Sequence, residues 1–241
     1  MAIKFSDLVS RLSDYRSTIF PKGEKETNFT SLLGEISDKA EENLPKEKKS
    51  LDWFMMRAKS VRKEAVSKTD VKPAQILQDT KPLLLNIKQF PITTKNDART
   101  MIGRMFLYNY DAKHKATLPY YDAYPVMFPI RLDPKGMLGI NLHYLPLSYR
   151  ASLMDALYSL LNTKTIQENS RIKLSYDILS ASSRYKAFRP CVKQYLYTHV
   201  RSRFMMIPPE HWDTVLFLPL AQWKKADQTT VWRDSRNLIN K

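Results

Sequence analysis

The sequence predicts an α+β fold: a small SH3-like antiparallel β-barrel with a helical insertion, preceded by an N-terminal helical arm. Three observations predict it. Up to about residue 68, apolar residues recur at helical spacing. At Met101 the period changes to alternation, with Met105, Leu107 and Asn109 set against Phe106, Tyr108 and Tyr110. Further on, Asp133-Pro134-Lys135-Gly136 separates two apolar runs and carries turn chemistry, proline presetting φ and glycine supplying a positive φ.

Taken in order, residues 3–19 read as an amphipathic helix carrying Ile3, Leu8, Leu12, Tyr15 and Ile19, ended by Pro21-Lys22-Gly23. A second helix begins near 28–30 and runs to Glu42, with Phe29, Leu32, Leu33 and Ile36 on one face. A third runs from about Ser50 to Lys68 on Leu51, Phe54, Met55, Ala58, Val61 and Ala65. Its basic side, Arg57, Lys59, Arg62, Lys63 and Lys68, reads first as the solvated face of a packing helix and only second as a DNA contact. Pro73, Pro82 and Pro91 punctuate a linker with one short helix at 74–78. The arm and linker thus occupy 1–92 and the β domain 93–241.

Within that domain, a first strand at 105–110 leads into a long loop, 111–124. Strands follow at 126–132 and 138–145. Pro146 opens a helix to about Leu161, and two further helices are expected at 171–181 and 190–200, so that the insertion spans about 146–200. The barrel would finish with strands at 203–207 and 215–218, joined by a helical turn at Pro208-Pro209-Glu210-His211-Trp212. A polar tail from Trp223 to Lys241 closes the chain.

The totals constrain function. Thirty-nine basic against 24 acidic residues give a net charge of +15, which calls for a polyanionic partner, nucleic acid being the commonest. The excess lies mainly after residue 100, where 20 basic residues meet 10 acidic ones. One cysteine, Cys191, leaves no internal disulfide and no cysteine-based zinc site. No apolar run is long enough for a membrane span, and MAIKFSDLVSRL is too charged for a signal peptide.

Enzymatic constellations are not in view. His114, His143, His199 and His211 form no metal-binding spacing, and the five glycines form no phosphate loop. Asp111 and Asp122 with Lys113 or Lys115 could assemble a metal-dependent nuclease site, but a turn former and a loop ligand are the plainer roles. Cys191 reads as a buried small hydrophobe. No catalytic residue, metal or cofactor is expected.

The basic cluster says more. Between Arg171 and Arg203 stand Arg171, Lys173, Arg184, Lys186, Arg189, Lys193, Arg201 and Arg203, with Asp177 the lone acid. Tyr176, Tyr185, Phe188, Tyr195 and Tyr197 are interleaved with them. Cations neutralise phosphates and rings stack on bases exposed at a strand end, so this stretch is the expected DNA-binding surface, with Lys113 and Lys115 as a second patch. The competing reading makes the tyrosines core and the cations merely solvated.

Three runs also carry a resemblance: YDAKHKATLPYYDAYPVMFPI (110–130), GMLGINLHYLPLSYRASLMDAL (136–157) and RPCVKQYLYTHVRSRFMMIPPEHW (189–212). They resemble blocks of the DNA end-protector, or head-completion, protein family of T-even-type myophages, over the chain from Met101 onward. The resemblance implies a virion protein, present in the host cytoplasm during assembly. It would be loaded at the packaged end of double-stranded DNA or the portal vertex, where it shields that end from host exonuclease. It implies contacts with other virion proteins at portal, neck or tail; the basic third helix and proline-punctuated linker of the arm suggest contact with neighbouring copies of the chain. The resemblance transfers no catalytic residues, because the matched positions are aromatic, proline and glycine. A structural neck, tail or baseplate component without DNA-end activity is the alternative, and a nuclease comes third.

Overall fold

The computed structural model describes residues 28–42, 44, 50–68, 71–79, 84–85, 101–161, 177, 179, 181 and 184–241. The expected helices at 3–19 and most of 171–181, and the expected boundary at 92/93, lie outside them.

Helix α1 (Asn28–Glu41) buries Phe29, Leu33, Ile36 and Ala40, a three- and four-residue spacing that makes one apolar stripe. Helix α2 (Leu51–Val66) starts at Ser50, whose hydroxyl caps the Trp53 N–H at 3.5 Å, and Asp52 complements the dipole of its first turn. It buries Trp53, Phe54, Ala58, Val61 and Ala65, while Leu51 stays exposed. The basic face expected of this helix needs one correction. Arg57 is fully buried, donating to the Ser37 carbonyl (2.8 Å), the Ser37 hydroxyl (2.6 Å) and the Thr214 hydroxyl (3.0 Å), with Asp213 at 3.8 Å. Helical periodicity places a residue on a face, but it cannot tell a solvated cation from one that bridges two elements. Helix α3 (Pro73–Asp79) opens on Pro73, where the missing N–H costs nothing.

The main sheet is antiparallel. Its strands are β1 (Leu84–Leu85), β2 (Met105–Leu107), β4 (Val126–Asp133), β5 (Gly136–Asn141), β6 (Val192–Leu196) and β7 (Phe204–Ile207), in the order β1-β7-β2-β4-β5-β6. A second sheet pairs β3 (Tyr121–Asp122) with β8 (Trp223–Lys224). The register of β4 on β5 shifts between Pro129 and Arg131, the irregularity expected where proline removes a donor from a strand interior. Asp133 faces Gly136 across a tight hairpin turn, as expected, but Gly136 does not have a positive φ. Glycine is needed there because a Cβ would strike the Tyr195 carbonyl of β6.

Two further expectations are corrected. Residues 190–200 are not a helix: a 3-10 turn, Lys186–Cys191, leads into β6, and a second 3-10 turn, Tyr197–His199, leads out of it. Strand β6 covers the free edge of β5, and that ladder outweighs a weak helical pattern around Pro190. Residues 215–218 are not a strand either. Trp212–Val215 form a short helix, α5, and every side chain from Trp212 to Leu218 is buried; a short apolar run cannot by itself distinguish a buried strand from a buried turn. The two strands joined by a single turn are therefore β6 and β7. The fold is α+β, and among the described residues no ladder joins β1 to β6 to close a barrel.

Helix α4 (Leu147–Leu161) follows Pro146, and the polar tail folds as helix α6 (Gln228–Asn240), capped by Asp227 accepting from the Thr230 N–H at 2.7 Å. One core lies between the helices and one face of the sheet. There Phe54 meets Tyr158 edge-on at 5.5 Å, and Phe128 meets Trp212 at 4.8 Å. The other face of the sheet gathers Phe106, Tyr108, Tyr110, Tyr195 and Phe204, with Tyr108–Phe204 at 4.6 Å and Tyr110–Tyr195 at 4.8 Å. Thus the alternation read at 105–110 sends Met105 and Leu107 into one core and Phe106, Tyr108 and Tyr110 into the other.

Arg57→Ala should lower the unfolding free energy by about 3–5 kcal/mol, because buried partners are left without their cation. Lys59→Ala, on the exposed side of the same helix, should change it by less than about 0.5 kcal/mol. Urea unfolding of both variants checks the pair; equal small losses would mean that Arg57 is solvated.

Candidate nucleic-acid interface

The acids of the 111–124 loop turn inward or pair locally. Asp122 is 1% exposed, yet both carboxylate oxygens are saturated. One accepts from the backbone N–H groups of Tyr124 (3.0 Å) and Gln222 (3.2 Å). The other accepts from the Asn141 amide (3.1 Å) and faces His143 Nδ1 at 2.7 Å. Asn141 also donates to the Tyr195 hydroxyl (2.9 Å), and its own carbonyl accepts from the His143 N–H (3.0 Å). Burial pushes the His143 imidazole pKa below its ordinary value, with Asp122 opposing. The ring is therefore neutral, Nδ1–H donating to the carboxylate.

Around it, the buried guanidinium of Arg150 donates to the carbonyls of Leu145 (2.8 Å), Leu216 (2.8 Å) and His143 (3.1 Å). The indole N–H of Trp232 donates to the same His143 carbonyl at 3.0 Å. Asn141, His143, Leu145 and Arg150 lie within ten residues, but no local spacing announces their links to Asp122, Leu216 and Trp232, which lie far off in the chain.

Asp111 lies at the surface between Lys115 (3.0 Å) and Arg201 (3.6 Å), and the Tyr121 hydroxyl approaches it at 3.4 Å. The Lys115 ammonium holds its carboxyl below the usual carboxylate range. Asp111 and Asp122 thus serve separate networks, and among the described residues no group of three acids, histidines or cysteines is placed to hold a metal ion. Cys191 is buried against the Phe188 carbonyl (2.9 Å), and burial pushes its thiol up, away from the reactive thiolate.

The expected DNA-binding cations divide. Arg184, Lys186 and Arg189 are exposed on and beside the 3-10 turn before β6, and no ion pair engages them among the described residues. Arg201 and Arg203 are exposed between β6 and β7, Arg201 leaning on Asp111. Lys113 is exposed on the 111–124 loop, where Lys115 pairs with Asp111. Lys193 is drawn inward, its ammonium 4.2 Å from the centre of the Tyr144 ring, and burial lowers its pKa. Arg171 and Lys173 lie outside the described residues.

The interleaved aromatics divide too. Tyr195 is core, Phe188 and Tyr197 are half-buried, and Tyr185 is exposed. Helix α6 adds exposed Arg233 and Arg236, which counting charges between 171 and 203 did not reach; their three-residue spacing on one helix face was the available signal. Among the described residues no helix is long and apolar enough to cross a membrane.

Acids used for structure and cations left at the surface make this a basic α+β protein suited to a polyanion. The profile of one family, described as Phage T4 terminal DNA protecting protein, matches residues 2–235. The chain belongs to that family, which protects the ends of phage DNA. Comparison with curated proteins and with solved structures gave no match.

The buried neutral His143 sets a pH dependence. Its folded pKa lies below the value near 6.5 of an unfolded chain, so the unfolded state takes up the proton first as pH falls. Its contribution is fully present above about pH 6.5 and is lost progressively below. Unfolding free energy should therefore drop between pH 7.5 and 5.5. His143→Gln, less stable at pH 7.5, should lose less over the same interval; identical slopes for the two proteins would mean that the ring does not titrate in this way.

Proposed function

We propose that this chain binds the end of packaged double-stranded DNA in the virion, at the portal or neck, and shields it from host exonuclease without catalysing a reaction. The observation that carries the reading is the family match, which spans residues 2–235. The net charge of +15 and the unpaired Arg184, Lys186 and Arg189 support it. The contacting set in this proposal is those three residues with Arg201, Arg203 and Lys113, extended by Arg171 and Lys173. Lys193 and Lys115 are already engaged within the protein and contribute less.

The finer architecture is part of the same proposal: an SH3-like sheet in 93–241 with an arm in 1–92. Two features support the SH3-like assignment, the order β7-β2-β4-β5-β6 and the 3-10 turn between β6 and β7. The arm would be docked rather than free, since Arg57 of α2 bonds to Thr214. Its outer surface, with further copies of the chain and other virion proteins as partners, would serve assembly.

Affinity for duplex DNA should fall with salt by roughly 0.9 log units per log unit of salt for each phosphate neutralised. Replacing Arg184, Lys186 and Arg189 together by Gln should flatten that slope, whereas Lys193→Gln should lower stability and leave the slope unchanged. Added wild-type protein should slow digestion of linear duplex by an exonuclease. Unchanged digestion at saturating protein would sink the proposal.

A further inference from the structure

Cations on bridging phosphates do not tell an end from an interior. Those phosphates line the whole duplex, and a lysine or arginine bound to them meets the same charge in the middle as beside the terminus. Besides its terminal hydroxyl or phosphate groups, what only an end presents is the open face of its last base pair, a flat π surface with no neighbour stacked on it. Recognition of that face calls for an exposed flat ring held among cations.

One side chain meets the description. Tyr185 is 65% exposed and is the only aromatic among the exposed large hydrophobic residues of the described chain. Exposed Arg184 and Lys186 flank it, and exposed Arg189 follows in the same turn. The backbone beneath the ring is fixed. The Tyr185 carbonyl accepts from the Phe188 N–H (3.0 Å), and the Arg184 N–H is held by the Ala181 carbonyl (3.0 Å). The far end of the turn is anchored by buried Pro190 and Cys191. The turn also packs on helix α6, which exposes Arg233 and Arg236. A ring held out to solvent on a rigid base loses little freedom when a base settles on it.

We propose that Tyr185 stacks on the open face of the terminal base pair of a duplex end, with Arg184, Lys186 and Arg189 on the phosphates beside it. This rests on the end-binding reading above and adds the group that tells an end from an interior. A ring–base stack is worth roughly a 5- to 150-fold change in affinity.

The test compares one DNA sequence as a blunt linear duplex and as a covalently closed minicircle, binding the full-length protein at fixed salt. Wild type should favour the linear form. Tyr185→Ala should weaken linear binding about 5- to 150-fold, leave minicircle binding unchanged and unfold at the wild-type temperature; Tyr185→Trp should restore the preference. Arg184→Gln should weaken both forms by the same factor. If Tyr185→Ala keeps the wild-type preference, or weakens both forms equally, the stacking role is wrong while end binding stands. A wild type that binds both forms alike overturns end binding, and the stacking role with it.

Discussion

Four hydrogen bonds converge on the carboxylate of Asp122, and the rest of the structure depends on that convergence. A carboxylate taken out of water must have its oxygens satisfied or it destabilises the fold by several kcal/mol. Here the donors come from the 111–124 loop, the end of β5, the 3-10 turn Leu142–Tyr144 and the segment before β8. None of those segments can move without leaving a buried charge short of a partner. The same turn then offers the His143 carbonyl to Arg150 of α4 and Trp232 of α6. One acid thus ties loop, sheet and two helices into one polar hub.

The division of charge follows from this. Asp122 works inside, and Asp111 pairs with Lys115 and Arg201, so neither offsets Arg184, Lys186, Arg189 or Arg203. Arg57 and Arg150 are likewise spent on structure, bridging α2 to α5 and α4 to two chain segments. What remains at the surface of the described residues is an excess of lysine and arginine, part of it on the turn before β6, the β6–β7 connection and α6. In a family that protects DNA ends, that surplus is the part of the charge that can meet phosphate.

Helices α1, α2 and α4 were legible because each carries one apolar stripe at helical spacing, and β2 because its alternation is strict. The hairpin at Asp133–Gly136 was legible as a turn, yet its glycine serves a close approach by Tyr195 that only the folded sheet creates. Strand β6 was misread because Val192–Leu196 has no strong period of its own; the edge of β5 decides its conformation. Arg57 could not be recognised as buried, since its partner Thr214 lies far along the chain. The expected cations were found by counting, but which stay free is decided by neighbours such as Tyr144 over Lys193.

Strand β7 sits between β1 and β2, although nearly a hundred residues separate it from β2 in the chain. A ribosome adding about 5–20 residues per second delivers Phe204–Ile207 roughly 5–20 s after Leu107. Throughout that interval β2 can pair with β4 on one side while its other edge, and the apolar face it shares with the helices, has no mate. Completion of the main sheet therefore waits for residue 207, with β8 and α6 still to follow. A nascent chain stalled before residue 207 would hold an open strand edge of the kind that draws neighbouring chains together.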